Sequence, residues 1–151
     1  MSFTADIVIR GADGLPLVVV ELENRKGLTS KVGADLRREL IADRGLGARA
    51  SFLLVLSQEM GFLWAGPLAD ASDEATWTFS MAELIGDYLD PTGVERGTWL
   101  WPDAFRLVVL QWLYDLIDGK RDEANEPERT LAESGLLAAL WGAHITEGVP
   151  V

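Results

Sequence analysis

The chain has no cysteine in its 151 residues, so a disulfide framework, a thiolate zinc site and a cysteine nucleophile are all excluded. Long apolar runs are missing as well. No such run, residues 15–20 included, approaches the roughly 20 residues that a membrane-spanning helix requires. The first residues hold no charged segment followed by an apolar stretch, so the expectation is a soluble cytoplasmic chain, neither secreted nor inserted in a membrane. Histidine occurs once, at His144, where an isolated imidazole is a weak candidate for catalysis or metal binding. The glycine-rich dinucleotide fingerprint, the P-loop and the GxSxG elbow do not occur.

Cations are scarce: 13 Lys and Arg face 24 Asp and Glu, for a formal net charge of −11. The imbalance is local. Residues 1–60 carry eight charges of each sign, so the remaining sixteen acids and five bases put the whole net charge in residues 61–151. A field of this sign repels a phosphate backbone, and each phosphate contact needs a cation. Nucleic-acid binding by the isolated chain is therefore expected to be weak. The first half still offers a local basic strip in Arg25, Lys26, Lys31, Arg37 and Arg38.

What is present suits one packed domain. A hydrophobic content of 48% and six tryptophans favour a single core over disorder, and 151 residues are too few for two ordinary domains. Residues 3–9 and 17–23 are rich in β-branched side chains and flank a segment in which Asp13-Gly14 is a strong hairpin signal. A helix is predicted over 31–44, with Val32, Leu36 and Leu40 on one stripe and Gly45 and Gly47 beyond its end. Residues 51–56 and 61–65 read as a second strand pair. Ser80 and Glu83 have the spacing of a capping box, which predicts a helix over 81–89. Pro102-Asp103 opens a helix whose Phe105, Val108, Val109, Trp112 and Leu116 share one face. A last helix is predicted over 127–142. The expectation is one α/β or α+β domain, with its sheet core in residues 1–66 and a helical C-terminal part in 80–145.

One arrangement could carry chemistry. If Asp13 and Gly14 are the two loop residues of the first hairpin, Asp6 faces Glu21, while Glu23 shares the side of Glu21 and lies diagonal to Asp6. A hard divalent cation would remove the repulsion among three such carboxylates. A three-residue loop would shift the pairing by one and put Asp6 opposite Val20 or Leu22. The plainer alternative for Glu21 and Glu23 is the solvated face of an amphipathic strand. For Arg37 and Arg38 it is an exposed helix face neutralised by Glu39 and Asp43. For Trp99, Trp101 and Trp112 it is core or interface packing.

The order Asp6-Ile7-Val8-Ile9, a hairpin, Val18-Val19-Val20-Glu21-Leu22-Glu23, a helix holding Ala34-Asp35-Leu36-Arg37-Arg38, and strands ending Phe62-Leu63-Trp64 resembles the PD-(D/E)xK nuclease superfamily. The resemblance covers residues 1–66. It implies a restriction-endonuclease-like mixed sheet with flanking helices, Asp6 and Glu21 as metal-binding acids, and magnesium or manganese as cofactor. Glu23 stands where the superfamily usually has lysine, and is implied as a further ligand or a base. Lys26 or Lys31 would then supply the cation that stabilises a developing phosphorane. The superfamily has a helix and a strand before its Asp-bearing strand, whereas only five residues precede Asp6. The C-terminal helices replace them, a partner supplies them, or they are absent. An unfilled edge implies a homodimer or a complex with another protein. Two functions follow from the resemblance: a metal-dependent phosphodiesterase or nuclease, active or degenerate, and a non-catalytic module that meets a protein partner through its acidic, Trp-rich C-terminal half.

Overall fold

A computed structural model of the chain describes residues 6–44, 50–65 and 74–147. Residues 3–5 of the first expected strand, the side chain of Leu40, and Gly45 and Gly47 lie outside the described residues. Two strands, β1 (Ile7–Arg10) and β2 (Pro16–Leu22), form the first hairpin; α1 (Ser30–Arg44) then crosses to β3 (Phe52–Leu56), which turns back as β4 (Met60–Ala65). β5 (Trp77–Ser80) precedes four helices, α2 (Ala82–Leu89), α3 (Pro102–Ile117), α4 (Glu128–Glu133) and α5 (Leu136–Ala139), and the described chain closes with β6 (His144–Glu147). The fold is α+β. Its mixed sheet runs β5-β4-β3-β2-β1-β6, with β2 and β3 parallel and every other neighbouring pair antiparallel.

The central strands are nearly unbroken apolar runs because both faces of the sheet are covered. One face, with Ile7, Val18, Val20, Leu54 and Leu63, packs against α2 to α5 through residues such as Leu84, Phe105, Trp112 and Leu131. The other, with Val8, Val19, Val55, Phe62 and Trp64, lies under α1, whose Val32 and Leu36 meet it. Gly33 fits there because the aromatic rings of Phe62 and Trp64 come within ordinary contact of where a Cβ would stand. Arg37 is buried on this helix, so the reading of it as an exposed helix face is corrected. Arg38 is exposed and pairs with Asp35 one turn back.

Both edges of the sheet are built by residues outside 1–66. β5 extends the sheet beyond β4, and β6 lies antiparallel on β1, with Ile9 opposite Ile145. The edge expected to be left open beside β1 is thus filled by the chain's own C-terminal segment. That removes the premise from which an obligatory second subunit was expected.

Two helices differ from expectation. Ser80 Oγ accepts only the distant Ala82 amide, at 3.4 Å, and α2 begins from Met81 without a side-chain cap, so the capping box does not form. The single helix expected over 127–142 is two. Gly135, at φ +86°, takes a left-handed conformation between α4 and α5, and the chain turns there.

Candidate functional site at the end of the first hairpin

The loop of the first hairpin spans three residues, not two. The Gly14 amide donates to the Gly11 carbonyl at 2.9 Å and the Gly11 amide to the Leu15 carbonyl at 3.0 Å, leaving residues 12–14 as the loop, with Gly14 at φ +82°. At that tip the register is the one that would misalign Asp6. A bulge then corrects it: Arg10 pairs with Pro16 but Ile9 pairs with Val18, so Leu17 is an extra residue on β2. Beyond the bulge Ile7 faces Val20. The ladder ends at Ile7 and Val20; extended by one residue, the same register would set Asp6 opposite Glu21, the pairing the sequence argument expected from a different loop.

Asp6 lies just before β1, half-buried, and its Oδ2 accepts the Leu22 amide at 2.8 Å. The carboxylate acts here as the ladder acceptor that the main chain would otherwise supply. Its own carbonyl accepts from Arg106 Nη2 of α3 at 3.0 Å, and the same guanidinium donates to Glu147 of β6 at 3.0 Å. Three distant segments therefore meet at the start of β1. Glu21 pairs with Val55 and is set on the α1 side of the sheet with Val19. Neither Glu21 nor Arg37 stands without a partner. Glu23 is half-buried just past β2, and its Oε2 lies 3.6 Å from Arg25 Nε.

Lys26 is elsewhere. Its ammonium stands 5.3 Å from the centroid of the Trp99 ring, in a cation–π contact, where it lines a cavity of about 320 Å³ with Gln58, Glu59, Ile85 and Trp99. Lys31 lies exposed in the first turn of α1. The carboxyl ends of parallel strands are where open α/β sheets usually take a ligand. Here a buried amide ties them together. Gln58 Nε2 donates to the Leu100 carbonyl at 2.9 Å and to Asn24, while its Oε1 accepts the Leu100 amide at 2.8 Å. Nothing in the local sequence marks Gln58 for this role, because its partner is 42 residues away.

The carboxylate oxygens of Asp6, Glu21 and Glu23 are the kind of donor magnesium takes. Among the described residues, no three Asp, Glu or His side chains gather closely enough to hold a metal ion. Other perturbed titratable groups lie among the helices on the other face of the sheet. Tyr88 of α2 donates to Asp115 Oδ2 of α3 at 2.6 Å, and burial, reinforced by that hydrogen bond and charge, raises its pKa well above the usual phenol range. Arg121 stacks over the Tyr88 ring at 5.3 Å and donates to Glu128 at 2.8 Å and to Asp87 at 3.3 Å. Arg96 clamps Asp90, holding its carboxyl below the ordinary range chiefly through their hydrogen bonds. Sequence reading missed this network because Arg121 sits in the acidic segment 120–126, which reads as a linker, and Glu128 reads as an ordinary first-turn acid of the following helix.

The three tryptophans expected in core or interface packing differ in burial. Trp112 is fully buried, Trp99 is half-buried, and Trp101 is 83% exposed. A fourth, Trp141, is 86% exposed just beyond α5. Among the described residues, no helix is long and apolar enough to cross a membrane. The fold and these sites define an α+β protein with a mixed sheet and two covered faces. No protein-family model, curated protein or solved structure matches the chain.

Proposed function

We propose that this chain is a non-catalytic binding module on a PD-(D/E)xK-like core, which meets a basic protein partner through its acidic C-terminal half. The observation that carries the reading is the exposure of two indoles, Trp101 at 83% and Trp141 at 86%, on the half that holds the whole net charge. Large aromatic side chains on a soluble surface are costly to hydrate and are enriched where proteins meet. The like-signed charge around them selects a partner of opposite sign. The separate engagements of the candidate catalytic residues agree with this: Asp6 with a backbone amide, Glu23 with Arg25, and Lys26 with Trp99. The sheet order β6-β1-β2-β3 supports the superfamily resemblance, since a further strand, β6, lies beside the one that follows Asp6.

A second reading rests on the register that sets Asp6 opposite Glu21. In it the protein is a magnesium-dependent phosphodiesterase, with Asp6, Glu21 and Glu23 about the metal. One experiment separates the two. Thermal unfolding is followed with and without excess magnesium or manganese, for wild type and Glu21→Ala, alongside incubation with single-stranded and duplex DNA. The binding-module reading expects the metals to leave Tm unchanged and the DNA uncut. A metal-dependent rise in Tm that Glu21→Ala abolishes, with metal-dependent cleavage lost in the same variant, would replace it with the nuclease.

A further inference from the structure

Between the C-terminal end of α3 and α5 lies a groove of about 450 Å³ whose apolar wall is Leu116, Ile117, Leu137, Leu140 and Trp141. Leu116 and Leu140 belong to the core, whereas Trp141 stands almost wholly in solvent, so the groove grades from a buried floor to an exposed aromatic rim. Its charged margin is Glu123, with Asp118 following Ile117 directly in the chain. Arg121 also lines it, but its guanidinium is already held by Glu128 and Asp87.

The negative end of α3 is compensated only in part. A helix C-terminus carries a partial negative charge that Lys, Arg or His usually offsets in the last turn. α3 has no basic residue in its last turn and is followed by Asp118, and α5, which also lines the groove, has none in its own. Lys120 approaches Asp118 only at 4.0 Å, with both side chains more than half exposed. Acids at the negative end of a helix destabilise it slightly, and a cationic partner relieves that cost.

We propose that this groove is the docking site for a lysine- or arginine-rich segment of another protein, which seats one aliphatic or aromatic side chain against Leu137 and Trp141 and sets its cations against Asp118, Glu123 and the end of α3. The proposal rests on the binding-module reading and assigns it a site. An apolar anchor beside acidic groups supplies affinity from the anchor and selectivity from the charge. Trp101, Leu107 and Tyr114, exposed apolar positions at the start and outer face of α3, do not line the groove, nor does Val94.

The test is a titration of the full isotope-labelled chain with a panel of short Lys/Arg-rich peptides carrying a single Leu, Phe or Trp, and with Asp/Glu-rich peptides of the same anchors. The expected result is that basic peptides shift the amide resonances of residues 116–119 and 137–141, that affinity falls as salt rises, and that acidic peptides do not bind. Trp141→Ser and Leu137→Ser should each weaken binding about tenfold or more while Trp101→Ser leaves it unchanged. Trp141 is exposed enough that its variant keeps the wild-type Tm, which separates lost contact from lost fold. Basic peptides that bind but shift only the Trp101, Leu107 and Tyr114 face overturn the assignment and leave the binding-module reading standing. Failure of every basic peptide to bind overturns both, and equal binding of acidic peptides overturns the charge argument. Concentration-dependent dimerisation abolished by Trp141→Ser would show that a second copy, not a basic partner, fills the groove.

Discussion

Glu128 is fully buried, its Oε1 accepts from Arg121 at 2.8 Å, and its Oε2 is buried without a hydrogen-bond partner. Removing the cation would strand that carboxylate, and breaking such a pair from one side costs about 3–5 kcal/mol. We expect Arg121→Ala to lower the urea midpoint by a corresponding amount. The double replacement Arg121→Met with Glu128→Leu should recover most of the loss, since it leaves no buried charge. Tyr88, beside them, gives a pH signature. Its folded pKa is raised above the ordinary phenol value of 10.0, first by burial and then by Asp115, so the folded state keeps the proton that the unfolded chain releases. The stability this contributes is fully present below pH 10 and is lost as pH rises from there through the folded group's own pKa. Wild type should exceed Tyr88→Phe by about 1 kcal/mol near neutral pH. That gap should shrink as unfolding is measured at successively higher pH above 10.

At the scale of elements, the break between α4 and α5 and the strand β6 make opposite demands on sequence. Gly135 has open space where a Cβ would stand, so replacing it changes only the backbone. In a helix interior Gly→Ala would stabilise by roughly 1 kcal/mol. At φ +86° the sign reverses, and Gly135→Ala should destabilise by about 1–2 kcal/mol in chemical denaturation. β6 is held by pairing with β1 and by Thr146 Oγ1 donating to the Val8 carbonyl at 3.3 Å. Ile145→Pro removes an amide and fixes φ in that strand, which should cost about 1–3 kcal/mol if ladder groups lose their partners. Hydrogen exchange should then accelerate in residues 7–10 and stay unchanged in β3 and β4. Equal acceleration throughout would mean that β6 is part of the global folding unit and not a local closure.

Over the whole molecule, residues 61–151 hold sixteen acids and five bases, and the acidic candidate site sits at one end of the first hairpin. Few cations remain for phosphate, so affinity for duplex DNA at physiological salt should stay weaker than micromolar. A sub-micromolar Kd with a steep salt slope would contradict this. The same sequence made much of the fold legible. Apolar runs, rich in β-branched residues in the first hairpin, specified β1 to β4 to within a few residues, and the apolar stripe of α3 predicted Phe105, Val109, Trp112 and Leu116 as its buried face. Local patterns of this kind are set by neighbours in the chain. The register of the first hairpin was legible only in outcome: the Asp13-Gly14 signal implies a two-residue loop, while the structure has three residues and restores the pairing of Ile7 with Val20 by a bulge at Leu17. The sequence alone determined the charge asymmetry, the absence of cysteine chemistry and the strand-helix-strand order. Only the tertiary structure decided that His144–Glu147 would close the sheet beside β1, that Arg37 and Glu128 would be buried, and that Trp112 would be core while Trp101 and Trp141 face solvent. Those outcomes depend on which distant segments pack against each residue, and a single strand or helix pattern carries no record of its partner.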